Sequence, residues 1–128
     1  MWLRTLSVVF SSDITYTAGM PTDHRLGTFE QLLLLALVRL GHTYGVPIRD
    51  DIEARTGRTV SPGAIYTALD RLERRGLVRS SMGEPSAARG GKRKRLYRLT
   101  ATGSAAIARV HGQVADMARG LKPKLGTP

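Results

Sequence analysis

The spacing of apolar residues changes character along the chain. From Phe29 to Leu40 the apolar positions are almost continuous: Phe29, Leu32, Leu33, Leu34, Leu35, Ala36, Leu37, Val38 and Leu40. This run predicts a helix that stops at Gly41. Thr28-Phe-Glu-Gln31 precedes it with the S/T-x-x-E/Q form of a capping box. A helix apolar all round is expected to be covered all round, and in a small domain part of that cover is expected from a second subunit. In the next segment Ile48 and Ile52, with Arg55, recur at helical spacing. Pro47 suits the first turn of that helix, Asp50, Asp51 and Glu53 suit the positive end of its dipole, and Gly57 closes it.

A third helix has the clearest punctuation. Ser61 is its N-cap, Pro62 its first residue, and Gly76 the residue just past its end. Ile65, Ala68, Leu69 and Leu72 form one apolar stripe, while Gly63, Tyr66, Thr67, Asp70, Arg71 and Arg74 occupy the opposite side. After Gly76 the period falls to two. Leu77 to Met82 and Arg95 to Thr100 read as strands, with Leu96 and Leu99 competing with Tyr97 for the inner face. The segment 83–94 between them is a turn-rich cationic hairpin loop. Thr100 or Thr102 then caps a last helix that runs to about Arg119 and is ended by Gly120 and Pro123. The expected class is mainly α with a small β-hairpin.

The 128 residues make one small domain and exclude a Rossmann or barrel enzyme. The absence of cysteine excludes disulfides, thiolate zinc sites, iron–sulfur ligation and a cysteine nucleophile. The net charge of +10 points to a polyanionic partner, and its distribution sharpens that. From Glu30 to Asp70 four basic residues face five acidic ones, whereas from Arg71 to Arg98 ten basic residues face only Glu73 and Glu84. An excess confined to one stretch reads as a footprint, where an even excess reads as a solubility device.

The apolar run at Leu32–Val38 is far short of the roughly 20 residues of a membrane span. Residues 1–10 resemble a signal peptide only faintly, with one positive charge and a broken apolar stretch. A cytoplasmic protein with no membrane partner is expected, and Met20 is the expected start of the native chain. Asp50, Asp51 and Glu53 have no carboxylate elsewhere to join them and no Gly-rich phosphate loop, so they read as dipole and solubility charges. His24, His42 and His111 lack ligand spacing. No enzyme activity, metal or cofactor is expected.

The remaining chemistry is that of nucleic-acid recognition. Helices two and three are joined by Gly57-Arg-Thr-Val-Ser61, the layout of a helix-turn-helix whose second helix enters the major groove. Ser61, Gly63, Ala64 and Thr67 are small and let the backbone approach DNA, and amides at that helix end favour a phosphate. Tyr66 offers a hydroxyl to a phosphate and a ring to a sugar or base; the alternative is a half-buried packing residue. Arg71 extends the face. Arg89, Lys92, Arg93, Lys94 and Arg95 follow in the hairpin and suit the backbone or the minor groove. In the last helix Gly103, Ile107, Val110, Val114, Met117 and Leu121 are spaced as a heptad seam. It packs either on its own domain or, with Leu33 and Leu37 of the first helix, across a two-fold dimer that reads a palindrome. An RNA-binding or protein-interaction module is the alternative to duplex DNA.

From Leu26 to Ala108 the chain resembles the PadR family of bacterial transcriptional regulators. The residues that carry the likeness are Leu26-Gly-Thr-Phe-Glu30, Leu33 to Leu40 with Gly41, Tyr44-Gly45, Ser61-Pro-Gly-Ala-Ile-Tyr-Thr-Ala-Leu69, Arg71-Leu-Glu73, Gly76-Leu-Val78, Lys94-Arg-Leu-Tyr-Arg-Leu-Thr100 and Gly103. The resemblance implies a winged helix-turn-helix over residues 26–100, a C-terminal dimerisation helix over 101–121, and operator binding as a homodimer, usually in repression. Residues 1–25 and 122–128 are then tails. It implies DNA contacts at Ser61, Gly63, Tyr66 and Thr67 and wing contacts at Arg93 and Lys94. The single short C-terminal helix departs from family members with a large effector domain, the N-terminal 20 residues have no counterpart, and the wing is longer and more basic than many. A small apolar effector is allowed by the resemblance, but no residue here identifies one.

Overall fold

A computed structural model describes residues 25–84 and 94–126. Its elements are α1 (Thr28–Leu40), α2 (Gly45–Thr56), α3 (Pro62–Arg74), β1 (Val78–Met82), β2 (Arg95–Leu99), α4 (Ala101–Ala118) and α5 (Lys122–Leu125). The short α5 lies in the stretch expected to be a tail.

Helix α1 sits at the centre, packed by α2, α4 and β2. Its capping differs from expectation. Gly27, not Thr28, is the N-cap, and the Glu30 carboxylate accepts the Gly27 N–H at 2.9 Å. With Gly27 as the cap, Glu30 takes the third helical position, from which its carboxylate reaches back to the cap N–H. Gln31 instead donates to the Leu26 carbonyl at 2.9 Å. Leu33 and Leu37 are 0% and 1% exposed within this single chain, which corrects their expected place on a dimer surface. Cover is not complete all round either, because Val38 is 56% exposed.

In α2, Ile48 and Ile52 are buried, while Arg55 turns outward to Asp51 at 2.9 Å. Arg39 of α1 reaches the same carboxylate at 2.6 Å. Burial alone would raise the pKa of Asp51, but the hydrogen bonds and charges of Arg55 and Arg39 hold it below the ordinary carboxylate value. The turn after α2 begins with Gly57 in the left-handed region at φ 75° and is tied down where Glu53 accepts the Val60 N–H at 2.8 Å.

Helix α3 follows the sequence expectation closely. The Ser61 hydroxyl accepts the Ala64 N–H at 3.1 Å, and Pro62 opens the helix. Ile65, Ala68, Leu69 and Leu72 are all buried. Gly76, at φ 78°, closes a Schellman arrangement in which Leu77 N–H reaches the Leu72 carbonyl at 3.0 Å. Arg75 bonds Glu30 at 3.3 Å and locks the end of α3 to the start of α1.

Strands β1 and β2 pair antiparallel, with Val78 opposite Leu99 and Ser80 opposite Tyr97. Tyr97 takes the inner face at 5% exposure, and Leu96 and Leu99 are half-buried. Burial raises the Tyr97 phenol above its ordinary pKa. A further pairing has no signature in the sequence. Thr43, between α1 and α2, exchanges backbone hydrogen bonds with Tyr97 at 3.0 and 2.7 Å and anchors the hairpin to the helix-turn-helix.

Thr100 caps α4 by accepting the Gly103 N–H at 2.9 Å, and it donates to the Gly76 carbonyl at 2.7 Å. Gly103 and Ile107 are buried against the domain, so Ile107 also leaves the expected dimer surface. Beyond them α4 stands clear: Val110 is half-buried, and Val114 and Met117 are 58% and 80% exposed. The expected seam residue Leu121, 38% exposed, falls past the helix end at Ala118, after Gly120 turns the chain at φ 80°. The heptad seam is therefore divided, its first turns on the domain and its later ones uncovered.

Candidate nucleic-acid interface

Burying Ile65, Ala68, Leu69 and Leu72 turns the other side of α3 outward. Gly63, Thr67, Asp70 and Arg74 lie along the centre of that side at helical spacing, with Ala64 and Arg71 on one flank and Tyr66 on the other. Ser61, Gly63, Ala64, Tyr66, Thr67 and Arg71 are all exposed. The expected reading face is thus at the surface and on one element. Asp70 and Arg74 pair across it at 2.6 Å, while Arg71 forms no ion pair among the described residues.

Tyr66 settles between its two sequence readings. It is 45% exposed, yet one side of its ring lies on α2, where a Cβ at Gly45 would stand 2.7 Å from ring Cε1. It is a packed residue with an accessible edge. The Tyr44-Gly45 pair is visible in the sequence, but its relation to Tyr66 is not, since it depends on how α2 and α3 cross.

The base of the hairpin lies beside this face. A concavity of about 480 Å³ is lined by Tyr66, Thr67, Asp70, Glu73, Arg95 and Tyr97. A smaller one of about 240 Å³ is lined by Tyr44, Val46, Tyr66, Lys94 and Arg95. Lys94 Nζ sits 4.8 Å from the centre of the Tyr44 ring, a cation–π contact that leaves the ammonium near the surface. Arg95 Nη1 donates to Ser80 Oγ at 3.0 Å, and the Ser80 hydroxyl bonds Glu73 at 2.8 Å. Glu73 also accepts the Ser80 N–H at 3.1 Å, so it joins the last turn of α3 to the hairpin and steadies Arg95. In the sequence this acceptor is only one of two acids in a basic stretch. Arg89, Lys92 and Arg93 lie outside the described residues.

Among the described residues no cluster of three or more His, Asp or Glu is arranged to hold a metal ion. No described helix is long and apolar enough to cross a membrane.

The model of the transcriptional regulator PadR-like family matches residues 34–109. A PadR family transcriptional regulator from Eggerthella lenta is 25% identical, with a TM-score of 0.58 over 77% of this chain and 84% of its own. The complex structure of hsRosR-S1 is 27% identical, with a TM-score of 0.60 over 74% of this chain and 78% of its own. F93 from STIV, a winged-helix DNA-binding protein, shares the fold at 18% identity, with a TM-score of 0.60 over 75% of this chain and 97% of its own. No match emerges among curated proteins.

Proposed function

The chain belongs to the PadR-like family of transcriptional regulators, and from that premise we propose that it binds a two-fold-symmetric operator in duplex DNA as a homodimer and represses transcription there. The observation that carries this is the outward face of α3. Its small N-terminal residues, Ser61, Gly63, Ala64 and Thr67, are uncovered, and at the hairpin base Arg95 shares a concavity with Thr67 and Lys94 one with Tyr66. A helix of this kind fits the major groove, and a cationic hairpin beside it suits the sugar–phosphate backbone. Arg71 and the loop cations Arg89, Lys92 and Arg93 extend the same charge.

Homodimerisation is supported by the uncovered second half of α4. Val114 and Met117, with half-buried Val110, keep the heptad spacing along α4, while Leu121 lies past the end of the helix at Ala118. Exposed apolar residues at that spacing suit burial against a copy of themselves. Occupying an operator as a compact dimer excludes other proteins from the same DNA, which is the simplest route to repression.

Selection of genomic fragments bound by the full chain tests the reading. Recovery of a palindromic motif supports it. Equal binding to duplex RNA, single strands and unselected DNA across a salt series contradicts it.

A further inference from the structure

The first two turns of α3 carry a narrow chemistry. Strong base reading in the major groove usually relies on long planar donors: Arg or Lys on guanine, Asn or Gln on adenine. From Ser61 to Thr67 there is none of these. The exposed residues are Ser61, Pro62, Gly63, Ala64, Tyr66 and Thr67. The Ser61 hydroxyl is engaged at the Ala64 N–H. Tyr66 lies on the flank, against Gly45. One turn further on, Asp70 and Arg74 hold each other at 2.6 Å, and Arg71 lies beyond this patch on the other flank. What remains at the centre is Gly63 and Thr67, with the methyl of Ala64 beside them.

Such a surface suits one feature of the major groove. The thymine C5-methyl is the apolar group that base edges present there, and Ala and Thr methyls are its natural partners. Resting on the duplex-DNA reading above, we infer that α3 recognises its half-site through thymine methyl groups, packed against the Thr67 γ-methyl and the Ala64 β-methyl. Gly63, with nothing within 4 Å of a Cβ placed there, leaves open room for a base edge to come up to the backbone. The substrate class is therefore a half-site whose base pairs under the tip of α3 are A·T. Cytosine there offers an amino group and no methyl, so it forfeits the packing against Thr67 and Ala64.

The test uses the full chain and an operator duplex obtained by fragment selection. Thymines of the half-site are replaced by uracil, which removes the methyl and keeps every hydrogen-bonding group. A control duplex carries the same number of uracils outside the protected region. Affinity read by fluorescence anisotropy is expected to fall about fourfold for each contacted methyl, and to be unchanged for the control. Thr67→Ser, which removes the γ-methyl and keeps the hydroxyl, is expected to blunt the uracil effect, while Thr67→Val retains it. Operator binding that is indifferent to half-site uracil overturns the inference and leaves DNA binding intact. Full uracil sensitivity in Thr67→Ser overturns the assignment to Thr67. A chain with no preference among duplexes overturns the DNA-binding reading and this inference with it.

Discussion

Gly45 holds Tyr66 in place by having no side chain: a methyl at Gly45 would stand 2.7 to 2.8 Å from Cε1, Cζ and the hydroxyl of the Tyr66 ring. The neighbour it would strike is the far end of a rotatable side chain, so Gly45→Ala is expected to swing the ring away and leave the fold standing. Operator affinity should fall about two- to tenfold, the range for removing one hydrogen bond or ring interaction. Anisotropy titrations beside thermal melts check this. A large drop in melting temperature would show that Gly45 serves packing alone.

Gly103 meets a harder neighbour. A Cβ there would lie 1.9 Å from the Leu77 carbonyl oxygen, at the turn that starts the hairpin. Neither backbone has room to yield. Gly103→Ala is expected to lever α4 off the domain and destabilise it by at least the roughly 1–3 kcal/mol typical of overpacking, read from denaturant midpoints.

The two halves of the α4 seam should respond oppositely. Ile107→Ala empties a site that is 3% exposed and is expected to reduce stability by about 2–5 kcal/mol. Met117→Glu changes a residue that is 80% exposed and should leave the monomer folded while abolishing the dimer. Sedimentation equilibrium with circular dichroism separates the two outcomes.

Asp51 makes stability depend on pH in a definite direction. Its pKa is lowered in the folded chain from an ordinary 3.8, so the folded state favours the carboxylate. That contribution is present above 3.8 and is lost as the pH falls below it. Asp51→Asn should lower the urea midpoint at neutral pH and flatten its decline under acid. An unchanged acid limb in the variant would contradict the role of the Arg39 and Arg55 pairs.

The hairpin charge should appear as salt dependence. Arg93→Ala and Lys94→Ala are each expected to weaken binding to all duplexes alike. Each should also reduce the slope of log affinity against log salt by about 0.9 for every phosphate it no longer neutralises. A normal slope in both variants would remove these residues from the interface.

What the chain reveals before folding is what neighbours within a turn decide. Ser61, Pro62 and Gly76 mark the ends of α3, and Leu69 and Leu72 mark its inner side, because capping and helical period are local. The Ser61–Thr67 face is legible for the same reason. Leu33 and Leu37 read as partner-facing in the sequence because an all-round apolar helix does not say who covers it; α2, α4 and β2 of the same chain do. The Gly45–Tyr66 contact, the Thr43–Tyr97 bridge and the Glu73–Ser80–Arg95 link join residues far apart in the chain, and composition carries no trace of such meetings.

Hydroxyl-radical footprinting of the full chain on a selected operator tests the central claim most directly. Two protected patches are expected, related by two-fold symmetry and centred about 34 Å apart, with protection at the outer edges reduced by Lys94→Ala. A single patch without symmetry, or uniform protection of unrelated duplexes, would contradict paired insertion of α3 into the major groove.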